Sequence, residues 1–425
     1  MNDERIGHEP IVGRRTGLII GAALLIGNIC NYGFQIVAGR SLSLESYGLL
    51  AGFMSAVTII TVSTSALQTT AAQALASGEA DPGGPAFDRL TRSALTAAVA
   101  IGAGVVIATP LLQRVLSLGV VPLVLLAAYI TPAAIDSLAA GRLQGQRRFG
   151  ALATYSASQA VAKLFVAVVL VALGRQVTGL LAGVIVSSAF VALLGLLASR
   201  RAGSIDAHVL SPDARRAFLA ITAFWAITSV DVVMAHASFT GPDAGIYAAA
   251  AVLGKAVLWL PTVVAQLVFP TLAAGGGAGS EDRLLVRRAM VVVLAVAAAA
   301  VAGLAAFGPI AYDVLYGQRY AAAATLSWKI GVAMVPMALL NLLMFQGLAM
   351  RSTAMIGVLA GALVTQIVAL RIVPQSGGWY AAVLGLVAVA SLIALQLLIS
   401  RRRAGEDRTG HDAAVGGRAR AADPG

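Results

Sequence analysis

This chain has very little with which to do covalent chemistry. A single cysteine, Cys30, occurs in 425 residues, inside an apolar stretch. A disulfide within the chain is therefore excluded, and a thiolate metal site is not expected. The four histidines, His8, His208, His236 and His411, are scattered, and none falls in HExxH or a similar ligand spacing. No metal and no cofactor is expected. Phosphate-cradle motifs are missing too. "VLGKAV" (252–257) carries a Gly-Lys pair without the rest of GxxxxGK[ST], and no lysine follows "AAGGGAGSED" (273–282) in register. With no nucleophile beside a base and no carboxylate pair in hydrolase context, an enzyme is not expected.

Charge is also scarce. Asp, Glu, Lys and Arg make up 12% of the chain, about half the ~25% of soluble domains. What is abundant is apolar: 59% of residues are hydrophobic, with mean hydropathy +0.86. A hydrocarbon core needs roughly 20 mostly apolar residues per helical crossing. About twelve segments meet that need, near 16–38, 47–73, 93–113, 119–140, 151–173, 176–198, 216–238, 245–270, 288–311, 322–348, 352–372 and 378–400. The pattern predicts an all-α integral membrane protein.

The net charge of +11 raises the question of nucleic acid, but the basic residues sit in loops and form no basic domain, so nucleic acid is not an expected partner. Their distribution instead sets topology. With the N-terminus inside, 22 arginines fall on the inner side and 5, Arg40, Arg114, Arg175, Arg319 and Arg371, on the outer side. Such an excess predicts both termini in the cytoplasm and an even number of crossings. The first apolar segment follows Arg14 and Arg15 as a signal peptide would, but Asn28, Asn31 and Gln35 interrupt it, so it reads as a retained helix. Residues 1–15 form a polar N-terminal segment, and the Gly- and charge-rich tail 401–425 is expected to be disordered.

The two halves of the chain echo each other. "LSLESYGLLAG" precedes the second crossing and "TGPDAGIYAAA" the eighth, about 198 residues on; "LQGQRR" after the fourth is similar to "FQGLAMR" after the tenth. Six crossings per half makes the halves parallel repeats. They are expected as bundles over 16–200 and 216–400, joined by a cytoplasmic linker at 201–215.

The same segments carry a resemblance. "GRSLSLESYGLLAG" (39–52), "LQGQRRF" (143–149), "GPDAGIYAAAAVLGKAVLWLPTVVAQLVFP" (241–270) and "VLYGQRYAAA" (314–323) are similar, in order and spacing, to segments of Wzx-like polysaccharide flippases of the multidrug/oligosaccharidyl-lipid/polysaccharide (MOP) exporter superfamily. The resemblance implies two six-helix bundles around a central cavity. It also implies translocation of an undecaprenyl-pyrophosphate-linked oligosaccharide from the inner to the outer leaflet of a bacterial cytoplasmic membrane. The implied partners are the lipid-linked glycan, membrane lipids and the glycan polymerase or glycosyltransferase machinery. The same superfamily contains cation-coupled multidrug exporters and the lipid II flippase, which stand as alternatives.

The charges inside the crossings carry the site reading. An ionised side chain at mid-bilayer costs about 2.5–3.5 kcal/mol on insertion scales, so it faces a bundle interior or a wet cavity. Lys255, Trp259, Thr262 and Gln266 fall on one helical stripe. Asp231, on the preceding crossing, lies about as far before the outer connection as Lys255 lies after it, so the two share a depth. Asp231 is accordingly either a static ion-pair partner or a coupling-ion relay. Tyr155, Gln159 and Lys163 share a face of the fifth crossing. A pyrophosphate head group entering a low-dielectric cavity needs cations in place of its water, and Lys163 and Lys255 are the candidates, one from each half. Asn28, Asn31 and Gln35, with Gln68 on the second crossing, are further cavity-lining candidates; their alternative is helix-to-helix hydrogen bonding. Asp136 reads as a cap or a partner of Arg142, and Lys329 as a snorkelling residue. A drug exporter predicts a cavity dominated by acids and aromatics, and a membrane glycan polymerase predicts a large catalytic outer loop, which these short outer loops do not supply.

Overall fold

The computed structural model describes residues 14–76, 85–199, 212–258, 264, 268 and 280–421. Among these, the regular elements are all helical. The first seven helices are α1 (Arg14–Ser41), α2 (Leu44–Ala76), α3 (Pro85–Ile107), α4 (Thr109–Leu116), α5 (Val120–Gly145), α6 (Phe149–Ala172) and α7 (Val177–Ser199). Then come α8 (Pro212–Ser238), α9 (Asp243–Gly254), α10 (Ser280–Leu315), α11 (Ala321–Ala349), α12 (Ala354–Ile372) and α13 (Gly377–Ala421). Eleven are long and apolar enough to cross a membrane. The expected crossing at 245–270 is described only in its first half, by α9 and the turn after it. Trp259, Thr262 and Gln266 lie outside the described residues, as does Pro261.

Helix ends follow local chemistry. Gly174, Gly241 and Gly317 take positive φ at three connections. Two arginines do the same: Arg147 (φ 56°) after α5 and Arg351 (φ 53°) after α11. At both, the next residue closes a Schellman turn, Arg148 N–H to Leu143 O and Ser352 N–H to Gly347 O, so the echo between "LQGQRR" and "FQGLAMR" is an echo of backbone geometry. Pro122 sits in the first turn of α5, where the missing N–H costs nothing, whereas Pro132, Pro309 and Pro336 lie inside α5, α10 and α11. One expectation needs correction. The tail after Arg401 is not irregular up to Ala421 but continues α13 as helix; its Ala and Arg residues are good helix formers that outweigh the scattered glycines.

The chain forms two compact units: Met1–Leu42 with Ile60–Leu210, and Ser43–Ile59 with Ser211–Gly425. The second unit thus takes the first half of α2, which the two-bundle expectation had placed in the first. In the first unit α1 packs on α6, α6 on α7, and α5 on α3 and α7. Where α2, α3 and α5 meet, alanines set the spacing: Ala71 and Ala94 pack with Leu138 in one cluster, and Ala98 and Ala134 with Ile130 in another. Close approach through small residues is how helices associate where lipid removes the hydrophobic drive between them. In the second unit α11 is the central helix, packed by α9, α10 and α13, and α12 packs on α8 and α13. The first half of α2 docks here. Gly48 lies against Ala244, and an added Cβ on Gly245 would fall 1.9 Å from Leu44 O. Tyr47 is buried among Tyr316 and Tyr320, with ring centroids 6.1 and 5.8 Å away. Large apolar side chains such as Leu25, Phe165, Phe190, Phe307 and Leu386 remain exposed on the outer surfaces, as lipid-facing surfaces require.

Candidate functional site

In the second unit, Asp231 is fully buried about two turns before the C-terminal end of α8. Lys255 stands at the C-terminal cap of α9. Its Nζ donates to Asp231 Oδ1 at 2.6 Å and to Thr228 O at 2.6 Å. Tyr247 Oη donates to the other carboxylate oxygen at 2.7 Å. The depth matching of Asp231 and Lys255 therefore describes a formed ion pair. A cluster of three rings, Phe239, Tyr247 and Tyr380, with centroids 4.6–5.6 Å apart, closes over the Tyr247 side. The pair is neutral as a whole, and only 16% of the Lys255 side chain is exposed.

The first unit treats its charges differently. Lys163, on α6, donates from Nζ to Asn31 Oδ1 on α1 at 2.6 Å and lies 5.1 Å from the Phe34 ring centroid. Both partners are neutral. Among the described residues no carboxylate bonds this ammonium. One and two turns back along α6, Gln159 Nε2 and Tyr155 Oη donate to the two carboxylate oxygens of Asp136, on α5. The face shared by Tyr155, Gln159 and Lys163 thus meets a carboxylate at one end and an asparagine at the other. Asp136 was misread as a helix-end residue. The signal was available: it lies ten residues before Gln146, and Gln159 lies eleven after Arg148, the same depth matching that pairs Asp231 with Lys255.

The other polar candidates divide. Asn31 joins the Lys163 site, but Asn28 bonds back to Leu24 O of its own helix at 3.0 Å. Gln68 Nε2 donates to Gln144 Oε1 at 2.9 Å. Around it, Thr61 bonds Tyr129 and Ser137 bonds Thr64, each at 2.9 Å, so the polar side of α2 in this unit serves α2–α5 packing. Lys329 is exposed with its Nζ 5.8 Å from the Trp328 ring centroid, in keeping with a snorkelling residue.

The helix order and packing are those of known transporters. The chain is similar to an inward-facing multidrug resistance MATE family transporter of the MOP superfamily. The TM-score is 0.68 at 14% identity, over 92% of this chain and 99% of that one. It is similar to the lipid II flippase MurJ in an inward closed conformation, with TM-score 0.67 at 12% identity, over 91% and 90%. It is similar as well to a MOP superfamily transporter from Pyrococcus furiosus, with TM-score 0.54 at 14% identity, over 91% and 95%. No curated protein matches the chain. The fold is that of the MOP superfamily. Residues 37–325 match the polysaccharide biosynthesis protein family, and the chain belongs to that family. Family and fold together define a multi-pass membrane transporter of the flippase and exporter class, in line with the resemblance to Wzx-like flippases.

Proposed function

We propose that this protein translocates an oligosaccharide carried on undecaprenyl pyrophosphate across a bacterial cytoplasmic membrane by alternating access, with both termini in the cytoplasm. Lys163 holds the anionic head group, and the Lys255–Asp231 pair holds α8 and α9 together. The observation that supports this division is the difference in partners. Lys255 is balanced in place by a carboxylate, whereas Lys163 is held by an amide oxygen and a ring face. An ammonium in an apolar bundle that no carboxylate bonds among the described residues is matched to an incoming anion, because a charge out of water needs pairing. The positive-inside distribution of arginines supports the orientation. The product of such a step feeds the polymerase or glycosyltransferase machinery, which would be its functional partner.

The test is Lys163→Gln. Its amide can still donate to Asn31, so the helix contact survives while the charge is lost. The expectation is normal protein in the membrane and a ten- to hundredfold loss of glycan translocation, the size of about 1.5–3 kcal/mol for a charge-assisted hydrogen bond. Lys329→Gln serves as the control. Translocation by Lys163→Gln at the parental rate would overturn the head-group role.

A further inference from the structure

We propose that Asp136, rather than Asp231, takes up and releases a proton during transport, and that its charge sets how tightly Lys163 holds an anion. The second half of this proposal rests on the head-group reading of Lys163; the first half does not.

The argument compares the two buried acids by what surrounds them. Asp231 is bonded to an ammonium, and an ammonium is a donor only. Protonating Asp231 would take the counter-ion from the buried Lys255 ammonium, and that ammonium offers no acceptor for the new O–H. Asp136 is bonded to a phenol and a carboxamide. A phenolic hydroxyl both donates and accepts, and a carboxamide donates at one atom and accepts at the other. When Asp136 gains a proton, the new O–H needs an acceptor, and a turned Gln159 amide or a rotated Tyr155 hydroxyl supplies one. The cage therefore satisfies the acid and its anion alike. In the uptake step a hydronium ion gives its proton to the carboxylate and leaves as water; release is the reverse.

The surroundings are built for this. An added Cβ on Gly195, in α7, would come within 2.6 Å of Tyr155 Oη, so the glycine makes the space in which that hydroxyl sits. The rest of α7, Val177–Ser199, brings no titratable group to α5. The charged residues of α3, Asp88, Arg89 and Arg92, are exposed, as is Arg114 of α4. On α5 itself, Tyr129 is bonded to Thr61, and Arg142 lies near the C-terminal end. On α6 the charged group in line is Lys163, one turn beyond Gln159.

That last neighbour gives the proton a consequence. With Asp136 ionised, the stripe formed by Asp136 and Lys163 is neutral; with Asp136 protonated it carries one positive charge. Four helical residues separate Gln159 from Lys163, about 6 Å along the axis. That rise is between Gln159 and Lys163, and the Asp136 carboxylate sits beyond Gln159. Out to roughly 12 Å, at an effective dielectric near 20, one unit charge still changes anion affinity on the order of tenfold. Proton uptake thus strengthens head-group binding and proton release weakens it.

The experiment uses the full chain in lipid nanodiscs. Infrared spectroscopy follows the C=O band of protonated carboxyl groups across a pH titration. The titrating band is expected in the parent and in Asp231→Asn, and lost in Asp136→Asn. Tyr155→Phe keeps the ring, removes a donor, and is expected to move the midpoint. A full band in Asp136→Asn, or an unmoved midpoint in Tyr155→Phe, overturns the proposal. Farnesyl pyrophosphate binding is then measured at the two ends of the titration. About a tenfold pH effect is expected in the parent and its loss in Asp136→Asn; an equal pH effect in both overturns the link to Lys163. If Lys163→Gln binds the probe as the parent does while the carboxyl band still titrates, the head-group reading fails and the proton site stands.

Discussion

Replacing Lys255 with methionine keeps the length of the side chain and removes its charge. Asp231 is then left in a fully buried position with Tyr247 as its remaining donor. The magnitude can be worked from the pair's geometry. Two unit charges 2.6 Å apart attract by roughly 6 kcal/mol at an effective dielectric near 20. Desolvation offsets much of that gain, so the intact pair contributes little net stability, but breaking it by removing one partner costs about 3–5 kcal/mol. Lys255→Met and Asp231→Asn should each lower the thermal midpoint of the purified protein in detergent by several degrees. The double variant removes both charges together, so it should recover most of the sum of the two losses. That coupling, at least about 3–5 kcal/mol in a double-mutant cycle, is the signature of a direct pair. Tryptophan fluorescence during heating reads the midpoints, and translocation in proteoliposomes reads function. The double variant is expected to translocate at close to the parental rate, since the pair is assigned a structural role. Additive single losses would refute the pairing energetics; a stable but inactive double variant would refute the structural role.

The remaining predictions probe the packing and the turns. Gly245→Val places branched carbon where 1.9 Å separates an added Cβ from Leu44 O, so the N-terminus of α2 must leave the second unit; overpacking of this kind costs about 1–3 kcal/mol or more, and the expected result is loss of folded protein by size-exclusion chromatography. Tyr47→Ala empties the space among Tyr316 and Tyr320 and should cost about 3–5 kcal/mol, whereas Tyr47→Phe keeps the rings in contact and should leave a much smaller midpoint shift. Arg147→Gly relieves a left-handed residue that costs roughly 1–2 kcal/mol with a side chain; a raised midpoint is expected, and a lowered one would mean that the arginine's side chain outweighs its backbone.

How far the sequence speaks depends on whether a feature is local. Helices were legible because twenty apolar residues in a row have few other uses. The Asp231–Lys255 pair was legible because α8 and α9 are consecutive and antiparallel, so counting outward from their turn gives depth. The same count reaches Asp136 and Gln159 across the α5–α6 turn. The Asn31–Lys163 contact was not legible, since α1 and α6 are not consecutive and no count along the chain says they touch. Gln68 was visible as a polar residue within a crossing, but whether it serves a cavity or a neighbouring helix depends on what packs there, and Gln68, like Thr61 and Thr64 beside it, meets an α5 side chain. The assignment of Ser43–Ile59 to the second unit was hidden for another reason: hydropathy sees one continuous helix and cannot see that its two halves have different neighbours.

The two units also explain why a charge at Lys163 is a choice and not a structural need. In the first unit α1 and α6 pack together, and Lys163 on α6 reaches Asn31 on α1. In the second unit the corresponding helices, α8 and α12, pack together as well, and the bridging residue is Gln366, whose Nε2 donates to Ile227 O at 2.9 Å. Gln366 stands fifteen residues after Arg351, and Lys163 sixteen after Arg147, the two left-handed arginines that open these helices. A neutral amide therefore suffices to tie this helix pair in one half of the molecule. A lysine in the other half adds a desolvated charge that the tie itself does not require, and a cost of that kind persists where an anion returns it. Asp136, bonded to Gln159 one turn away and able to be charged or neutral, is placed to decide when.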